Sequence, residues 1–315
     1  MQVAVTGVTG FIGSSLAREL PQRGYHVRAL VRRPLKAPRS GCYPIIIGDL
    51  RQLHGLEAAF AGIDSVIHTA AITSAISDAT EADYQAINTE GTLELAKAAQ
   101  HAGVSRFIFL SSISAQSGPT ANVVLTEEVV PAPVNAYGRS KLAAEQGLSE
   151  LAIDWVALRP VSVYGREPKG KLIPLLRLAR SPLPLPVGGL TSRRSLLFLD
   201  NLIAAIDHTL RLPGPLRRPL IVSDPGALSI PEIVTAMRRG LGRSPGIIWV
   251  PRPLLKLLAS LAGYGGDYDR FAAASLIASS GALLRSGWVP LVRSEEWLAA
   301  MAGQSAEGAR VALGA

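Results

Sequence analysis

Tyr137 and Lys141 stand four residues apart in the run Tyr-Gly-Arg-Ser-Lys. If Asn135 to Glu150 is helical, that spacing puts the phenol and the ammonium on one face, one turn apart. A phenol ordinarily ionises at about pH 10, and a fixed neighbouring cation stabilises the phenolate, so such a tyrosine can exchange a proton closer to neutrality. The same spacing also occurs on many solvated helix faces. Its meaning depends on what the chain places beside it.

Ser111 and Ser112 close an apolar, β-rich run upstream of that helix. A serine hydroxyl at a strand end can hydrogen-bond a substrate oxygen while a tyrosine moves its proton. Ser112 is the choice over Ser111. A third feature lies near the N-terminus, where Gly7-Val8-Thr9-Gly10-Phe11-Ile12-Gly13 joins a first strand to a first helix. Glycines there permit a tight turn and close approach of a diphosphate, and the helix N-terminus offers free amides to it. The pattern therefore points to a dinucleotide.

The end of the second strand bears on which dinucleotide. An acidic residue there would bind the ribose hydroxyls of NAD, but Val31, Arg32 and Arg33 occupy the place. Arginine accommodates the 2′-phosphate of NADP, which favours NADP(H) over NAD(H). Asp49 follows Gly48 and either accepts from the adenine amino group or caps a helix beginning at Leu53. His68-Thr69-Ala70-Ala71 ends the fourth strand in small residues, where a nicotinamide ribose would cross the sheet. His68 reads as a structural histidine with no part in proton transfer.

These residues need a scaffold that brings strand ends together, and the first half supplies its pattern. Short apolar runs at Gln2 to Thr6, His26 to Val31, Pro44 to Ile47, Ser65 to His68, Arg106 to Ser111 and Trp155 to Arg159 read as strands. Helical patterns at Gly13 to Gln22, Leu53 to Phe60, Asp83 to His101 and Tyr137 to Leu151 alternate with them. Such alternation makes an α/β fold, a Rossmann-type doubly wound parallel sheet whose ligands sit at the carboxyl ends of its strands.

After Pro160 the chain becomes rich in Pro, Gly and Leu, with helices expected at Ile173 to Ala179, Asp200 to Leu210, Ile230 to Leu241, Pro253 to Leu261, Phe271 to Leu284 and Ser294 to Met301, and one more strand at Pro219 to Val222. The expected division is a dinucleotide-binding domain of residues 1–160 plus 191–224. A smaller, mostly helical C-terminal substrate lobe takes 161–190 plus 225–303, and 304–315 form a frayed tail.

Composition narrows the function classes. With 48% hydrophobic and 18% charged residues the chain is globular rather than disordered. No apolar run reaches the length of a membrane span, so no membrane partner is expected. The single cysteine, Cys42, can form neither an internal disulfide nor a thiolate metal site, and no metal is expected. Met1 leads directly into a strand, the pattern of a cytoplasmic protein. The net charge of +8 favours anionic partners. Its arginines lack the aromatic interleaving of a nucleic-acid module, and no nucleic acid is expected.

Together these motifs carry a resemblance. Gly7-x-x-Gly10-x-x-Gly13, Gly48-Asp49-Leu50, His68-Thr69-Ala70-Ala71, Asn88 in Asn-Thr-Glu-Gly-Thr, Ser111-Ser112, Tyr137-x-x-x-Lys141, Arg159-Pro160 with Val163-Tyr164-Gly165, and Gly287-Trp288-Val289-Pro290 occur in this order. The chain resembles the extended short-chain dehydrogenase/reductases, and within them the nucleotide-sugar epimerases and dehydratases. The resemblance implies hydride transfer at a carbinol or carbonyl carbon, with Tyr137 as general acid/base, Lys141 lowering its pKa and Ser112 polarising the oxygen.

Residue by residue, the resemblance implies cofactor contacts from Gly7, Gly10, Phe11, Ile12, Gly13, Arg32, Asp49, Leu50, Thr69, Ala70, Ala71, Tyr137, Lys141, Pro160 and Val163. It implies substrate contacts from Ser111, Ser112, Asn88, Lys171 and either Arg193 or Arg194, whose guanidinium suits a diphosphate. It also implies a homodimer packed through Asp83 to His101 and Tyr137 to Leu151.

Departures mark the substrate end. Lys171 stands where relatives often place asparagine, and Gln116-Ser117-Gly118 where many nucleotide-sugar enzymes have Val-Tyr-Gly. Ile113 and Ser114 follow Ser112, so the acidic pair of a dehydratase is missing. The missing carboxylate after strand two favours a 4-keto-sugar reductase over a 4-epimerase. A non-catalytic cofactor-binding subunit is the remaining alternative, opposed by the intact Ser112, Tyr137 and Lys141.

Overall fold

In the computed structural model the chain is described at residues 1–35, 41–73, 78–167, 172–261, 263, 265, 268 and 275–312. Its centre is a seven-stranded sheet built from β1 (Gln2–Thr6), β2 (His26–Val31), β3 (Cys42–Ile46), β6 (Ser65–His68), β7 (Arg106–Leu110), β8 (Asp154–Pro160) and β12 (Arg218–Val222). The spatial order is β12-β8-β7-β6-β1-β2-β3, and all pairs are parallel. The direction of winding reverses between β1 and β6, which makes that crevice the switch point where ligands bind.

The side-chain period of two explains why these strands form. Val3 and Val5 point to one face with α1 (Phe11–Gln22) and α7 (Leu199–Arg211). Ala4, Val66, Phe107 and Phe109 point to the other, against α2 (Leu56–Phe60), α4 (Gly91–His101) and α5 (Ala136–Ser149). Burial on both faces is the reason the strands read as continuous apolar runs.

Several boundaries differ from the sequence reading. Helix α2 begins at Leu56, because β4 (Gly48–Asp49) and β5 (Gln52–Leu53) first form a small hairpin. The helix expected over Asp83 to His101 is divided into α3 (Glu81–Tyr84), a π-helical turn (Gln85–Glu90) and α4.

A third apolar cluster gathers α6 (Leu172–Arg180), α8 (Ile230–Gly240) and the start of α11 (Ser294–Ala312), through Leu172, Leu176, Ile233, Met237, Leu298 and Met301. Short pairs join it to the sheet: β9 (Ser162–Tyr164) with β11 (Leu196–Phe198), and β10 (Arg193–Arg194) with β13 (Leu228–Ser229). Helix α9 (Arg252–Leu261) lies beside it, with Leu255 buried in the cluster.

The helix expected over Phe271 to Leu284 shrinks to α10 (Gly281–Arg285). Residues 269–274 lie outside the described residues, and Ser275 to Ser279 run extended because their backbone pairs with Ala121, Leu125, Arg193 and Ser195. Leu276, Ala278, Leu283 and Trp288, read from sequence as part of the lobe, pack into the α1/α7 face of the sheet core. The tail read as frayed continues α11 as far as Ala312; it is rich in alanine, the best helix former, although it lacks an apolar stripe.

Candidate active site

The glycine turn has a steric cause. Gly7 sits at φ 71°, and a Cβ there would lie 2.6 Å from Thr69 Oγ1 and 2.8 Å from Ala70 N. A Cβ on Gly13 would lie 2.2 Å from Gly7 O, so helix α1 meets the turn only with glycine at that position. Gly10 caps α1 without a side-chain hydrogen bond, and the first helical turn carries no acidic residue. The free amides therefore face an uncompensated positive end of the helix.

Above the turn opens a cleft of about 840 Å³ lined by Gly7, Gly10, Arg32, Asp49, Leu50, Thr69, Ala70 and Ala71 among others. The cleft's size, the glycine turn and the uncapped helix end fit a dinucleotide's adenosine and diphosphate. Phe11, Ile12, Gly13, Pro160 and Val163 do not line this cleft. The Phe11 ring lies against Gly165, while Ile12 and Val163 pack on the sheet core.

At the end of β2, Arg32 donates to Asp49 Oδ2 at 3.3 Å. Asp49 caps no helix, since the N-cap of α2 is Gly55. Its other oxygen accepts from Arg51 N at 3.1 Å, and that bond, with Arg32, holds the carboxyl below the usual carboxylate range despite burial. The cleft thus contains a carboxylate, brought by the β4–β5 hairpin rather than by the second strand.

The proton-handling residues meet at the ends of β7 and α5. Ser112 follows the end of β7 by two residues, caps the 3-10 turn Ile113–Ala115 by accepting from Ser114 N at 3.1 Å, and lies close enough to the Tyr137 side chain to lower the phenol's pKa. Asn135 caps α5, its Oδ1 accepting from Gly138 N at 2.7 Å. A Cβ on Gly138 would lie only 2.2 Å from Ser114 O, so glycine after Tyr137 lets the helix press against the turn that carries Ser112. This requirement was not visible in the sequence.

Burial pushes the Tyr137 phenol up, and the neighbouring Ser112 hydroxyl pulls it partly back. The expected depression by Lys141 is not what the geometry produces. Lys141 is itself buried, donates to Leu110 O at 2.8 Å and lies 4.5 Å from the Phe109 ring centre. Desolvation lowers its pKa to about 7, so it is a weakened cation near neutrality.

Behind these groups runs a paired polar layer. Thr6 Oγ1 bonds His68 Nδ1 at 2.7 Å and accepts from Thr69 N and Ala70 N, so one hydroxyl fixes two strand ends. Thr92 Oγ1 holds His68 Nε2 at 3.0 Å, and desolvation followed by Lys141 lowers the imidazole to about 3. His68 is a neutral structural group. Deeper still, Arg159 forms a buried ion pair with Glu145 and also donates to Gln116 Oε1.

Two predicted substrate residues are engaged elsewhere. Ser111 donates to Glu145 Oε1 at 2.5 Å inside the buried network. Asn88, on the π-helical turn, is fully buried; its amide bonds Ile72 N, Ile72 O and Ser140 Oγ. Both brace the site rather than face a substrate, because the Ser111 hydroxyl proton goes to Glu145 and the Asn88 amide is bonded to Ile72 and Ser140.

The arginine alternatives separate. Arg193 pairs with Glu232 and donates to Ala227 O at 2.7 Å, away from the strand ends. Arg194 donates to Pro119 O at 3.0 Å, in the loop that follows Ser112. Lys171 lies outside the described residues. Tyr84, which meets the Tyr137 ring edge-on at 6.1 Å and donates to Thr73 O, was missed in the sequence. Among the described residues no group of three or more His, Cys, Asp or Glu could hold a metal ion.

A model of the NAD dependent epimerase/dehydratase family matches residues 3–219. A UDP-glucose 4-epimerase from Vibrio cholerae is 32% identical over 299 residues, 91% of this chain and 90% of that protein. A ceramide reductase from Caulobacter vibrioides is 28% identical over 292 residues, 91% of this chain and 86% of that one. Among solved structures, MoeE5 in complex with UDP-glucose and NAD superposes at a TM-score of 0.71 with 27% identity, covering 98% of this chain and 100% of that one.

Proposed function

Because this chain belongs to the NAD dependent epimerase/dehydratase family, we propose that it inverts C4 of a nucleotide-linked hexose with a bound nicotinamide dinucleotide. The observation that carries this reading is the convergence of Ser112, the buried Tyr137 phenol and Lys141 one helical turn on, at the same sheet edge as the dinucleotide cleft. The full-length likeness to a UDP-glucose 4-epimerase supports epimerisation over simple reduction.

In this reading the turn Gly7 to Gly13 holds the diphosphate on the α1 amides, and Asp49 and Leu50 flank the adenosine. The bound nicotinamide would supply reversible hydride acceptance from the sugar. Tyr137 Oη takes the C4 hydroxyl proton as the carbinol is oxidised and returns it when the opposite face is reduced. Ser112 Oγ orients the sugar oxygen. Burial keeps the resting phenol protonated, as the reducing half-reaction requires of a general acid, and the neighbouring Ser112 is the group that pulls its pKa back toward use as a base. Arg194, rather than Arg193, holds the substrate diphosphate. Residues 161–190 and 225–303 form most of the substrate lobe. The chain works in the cytoplasm as a homodimer through α4 and α5.

A second reading, reduction of a 4-keto nucleotide sugar by NADPH, is favoured by one observation: Arg32 and Arg33 line the cleft with no carboxylate at the end of β2. The Arg32–Asp49 pair weakens it, since the guanidinium charge is partly compensated. One experiment separates the two. Purified protein is incubated with NAD or NADPH and UDP-glucose, UDP-galactose or a 4-keto derivative, with absorbance and NMR followed together. A C4-inverted product without net change in cofactor supports the epimerase; stoichiometric NADPH consumption replaces it with the reductase. No turnover with any sugar nucleotide sinks both.

A further inference from the structure

The C-terminal lobe carries an apolar surface that the catalytic reading does not use. Helix α9 has leucines at 254, 257 and 261, spaced to lie on one face, and all three are exposed, Leu261 at 78%. Leu255, about a quarter turn away, is buried and anchors the helix where its side chain would meet a Cβ on Gly189 at 3.3 Å. The apolar face therefore points away from the chain's own core. Just before the helix, Ile248 and Trp249 are also exposed, Trp249 at 69%. Leu183 extends this surface along the strand-like segment in which Leu185 pairs with Ile247.

Charge on this part of the chain is one-sided. Between Glu232 and Asp267 there is no acidic residue, while the exposed Arg239, Arg243, Arg252 and Lys256 fall in that span; Arg238, also there, is buried and spends its guanidinium on Pro245, Ser181 and Leu183 carbonyls. Glu232 and Glu295 lie on the Ile247 side of this segment, and the exposed leucines, the solvent-facing tryptophan and the basic Arg243, Arg252 and Lys256 on the other are the features by which a helix lies in the plane of an anionic membrane.

We infer that α9 with Ile248 and Trp249 docks this protein peripherally on an anionic lipid bilayer. The contact is in-plane. Ten residues of helix extend about 15 Å, half of a bilayer's hydrocarbon core, and no helix among the described residues is long and apolar enough to cross. This revises the expectation of no membrane partner only at the level of surface contact. The surface also adjoins the substrate side: Arg252 donates to Ser192 Oγ at 3.3 Å, two residues before Arg194. The inference does not depend on which sugar or carbonyl the site accepts.

The test uses the full chain and sonicated vesicles, either of phosphatidylglycerol and phosphatidylcholine in equal parts or of phosphatidylcholine alone. Co-sedimentation with the anionic vesicles is expected, falling with added salt. The double variant Leu254→Glu/Leu257→Glu should lose at least about tenfold in partitioning, with cofactor binding and circular dichroism unchanged. Independently, vesicles should shift tryptophan emission to the blue, and Trp249→Phe should remove most of that shift. No co-sedimentation at low salt overturns the inference, as does unchanged partitioning of the double variant. Concentration-dependent self-association that the double variant abolishes, without vesicle binding, assigns the face to a second copy and overturns it equally.

Discussion

Beneath Ser112, the polar side chains of Ser111, Asn88, His68, Glu145 and Arg159 are buried and hydrogen-bonded, whereas around α9 the large apolar side chains of Trp249, Leu254, Leu257 and Leu261 are exposed. Each region breaks the ordinary rule of apolar inside and polar outside, in opposite directions. In the first, the cost of desolvating polar groups is offset by partners, and the result is a stiff platform for the strand ends. In the second, apolar area stays in water and gains nothing until something covers it. A buried network positions chemistry that the chain completes alone; an exposed apolar face requires a partner.

Substitutions that break the first region should differ sharply from those that touch surface charges. The largest effect is expected for Tyr137→Phe, which should lower kcat by about 10² to 10⁴ while dinucleotide affinity measured by calorimetry stays near wild type. Equal loss of affinity and rate would mean that the phenol only packs. Next is Arg159→Leu, which leaves Glu145 buried without its cation and should cost about 3–5 kcal/mol in urea unfolding. Little change would show that Ser111 and solvent already satisfy the carboxylate.

Gly138→Ala should cost about 1–3 kcal/mol and reduce turnover beyond what unfolding explains, because the added Cβ must push α5 off Ser114 O. An active variant of full stability would remove the close approach as a requirement.

Lys141 supplies a pH test. Its pKa falls from 10.5 to about 7 on folding, so between those values the unfolded chain binds more protons than the folded one. Stability should therefore rise with pH from about 7 toward 10, and Lys141→Met should remove that rise; an identical pH profile in the variant counts against a desolvated lysine. The smallest stability effect is expected at Arg193, whose pair with Glu232 is largely exposed: Arg193→Ala should cost about 0–1 kcal/mol and leave KM unchanged. Arg194→Ala should raise KM for the sugar nucleotide, and the reverse ranking would reassign the diphosphate contact.

The doubly wound sheet was legible because parallel strands buried on both faces must be apolar throughout, as in the run Arg-Phe-Ile-Phe-Leu of β7. The glycine turn was legible because its steric demand lies within seven consecutive residues. The π-helical turn at Asn88 was not, since its backbone is set by bonds to Ile72 and Ser140, distant in sequence. The extended stretch Ser275 to Ser279 escaped for the same reason: its pairing partners lie some 80 to 155 positions earlier. Asp49, read as an adenine contact or a helix cap, lines the cleft, and the cap reading fails because only the hairpin shows that α2 starts later.

What the sequence determined by itself were local quantities: strand periodicity, the glycine spacing, the four-residue step from Tyr137 to Lys141. Only tertiary structure decided which polar groups remain available to a ligand. Ser111 and Ser112 are adjacent hydroxyls with equal chemistry. One faces inward to Glu145 and the other reaches Tyr137, because successive side chains at a strand end point to opposite sides, and the core fixes which side is dry. Burial likewise set the Tyr137 and Lys141 pKa shifts. Proximity along a helix is encoded in the spacing, but desolvation depends on everything that packs around it.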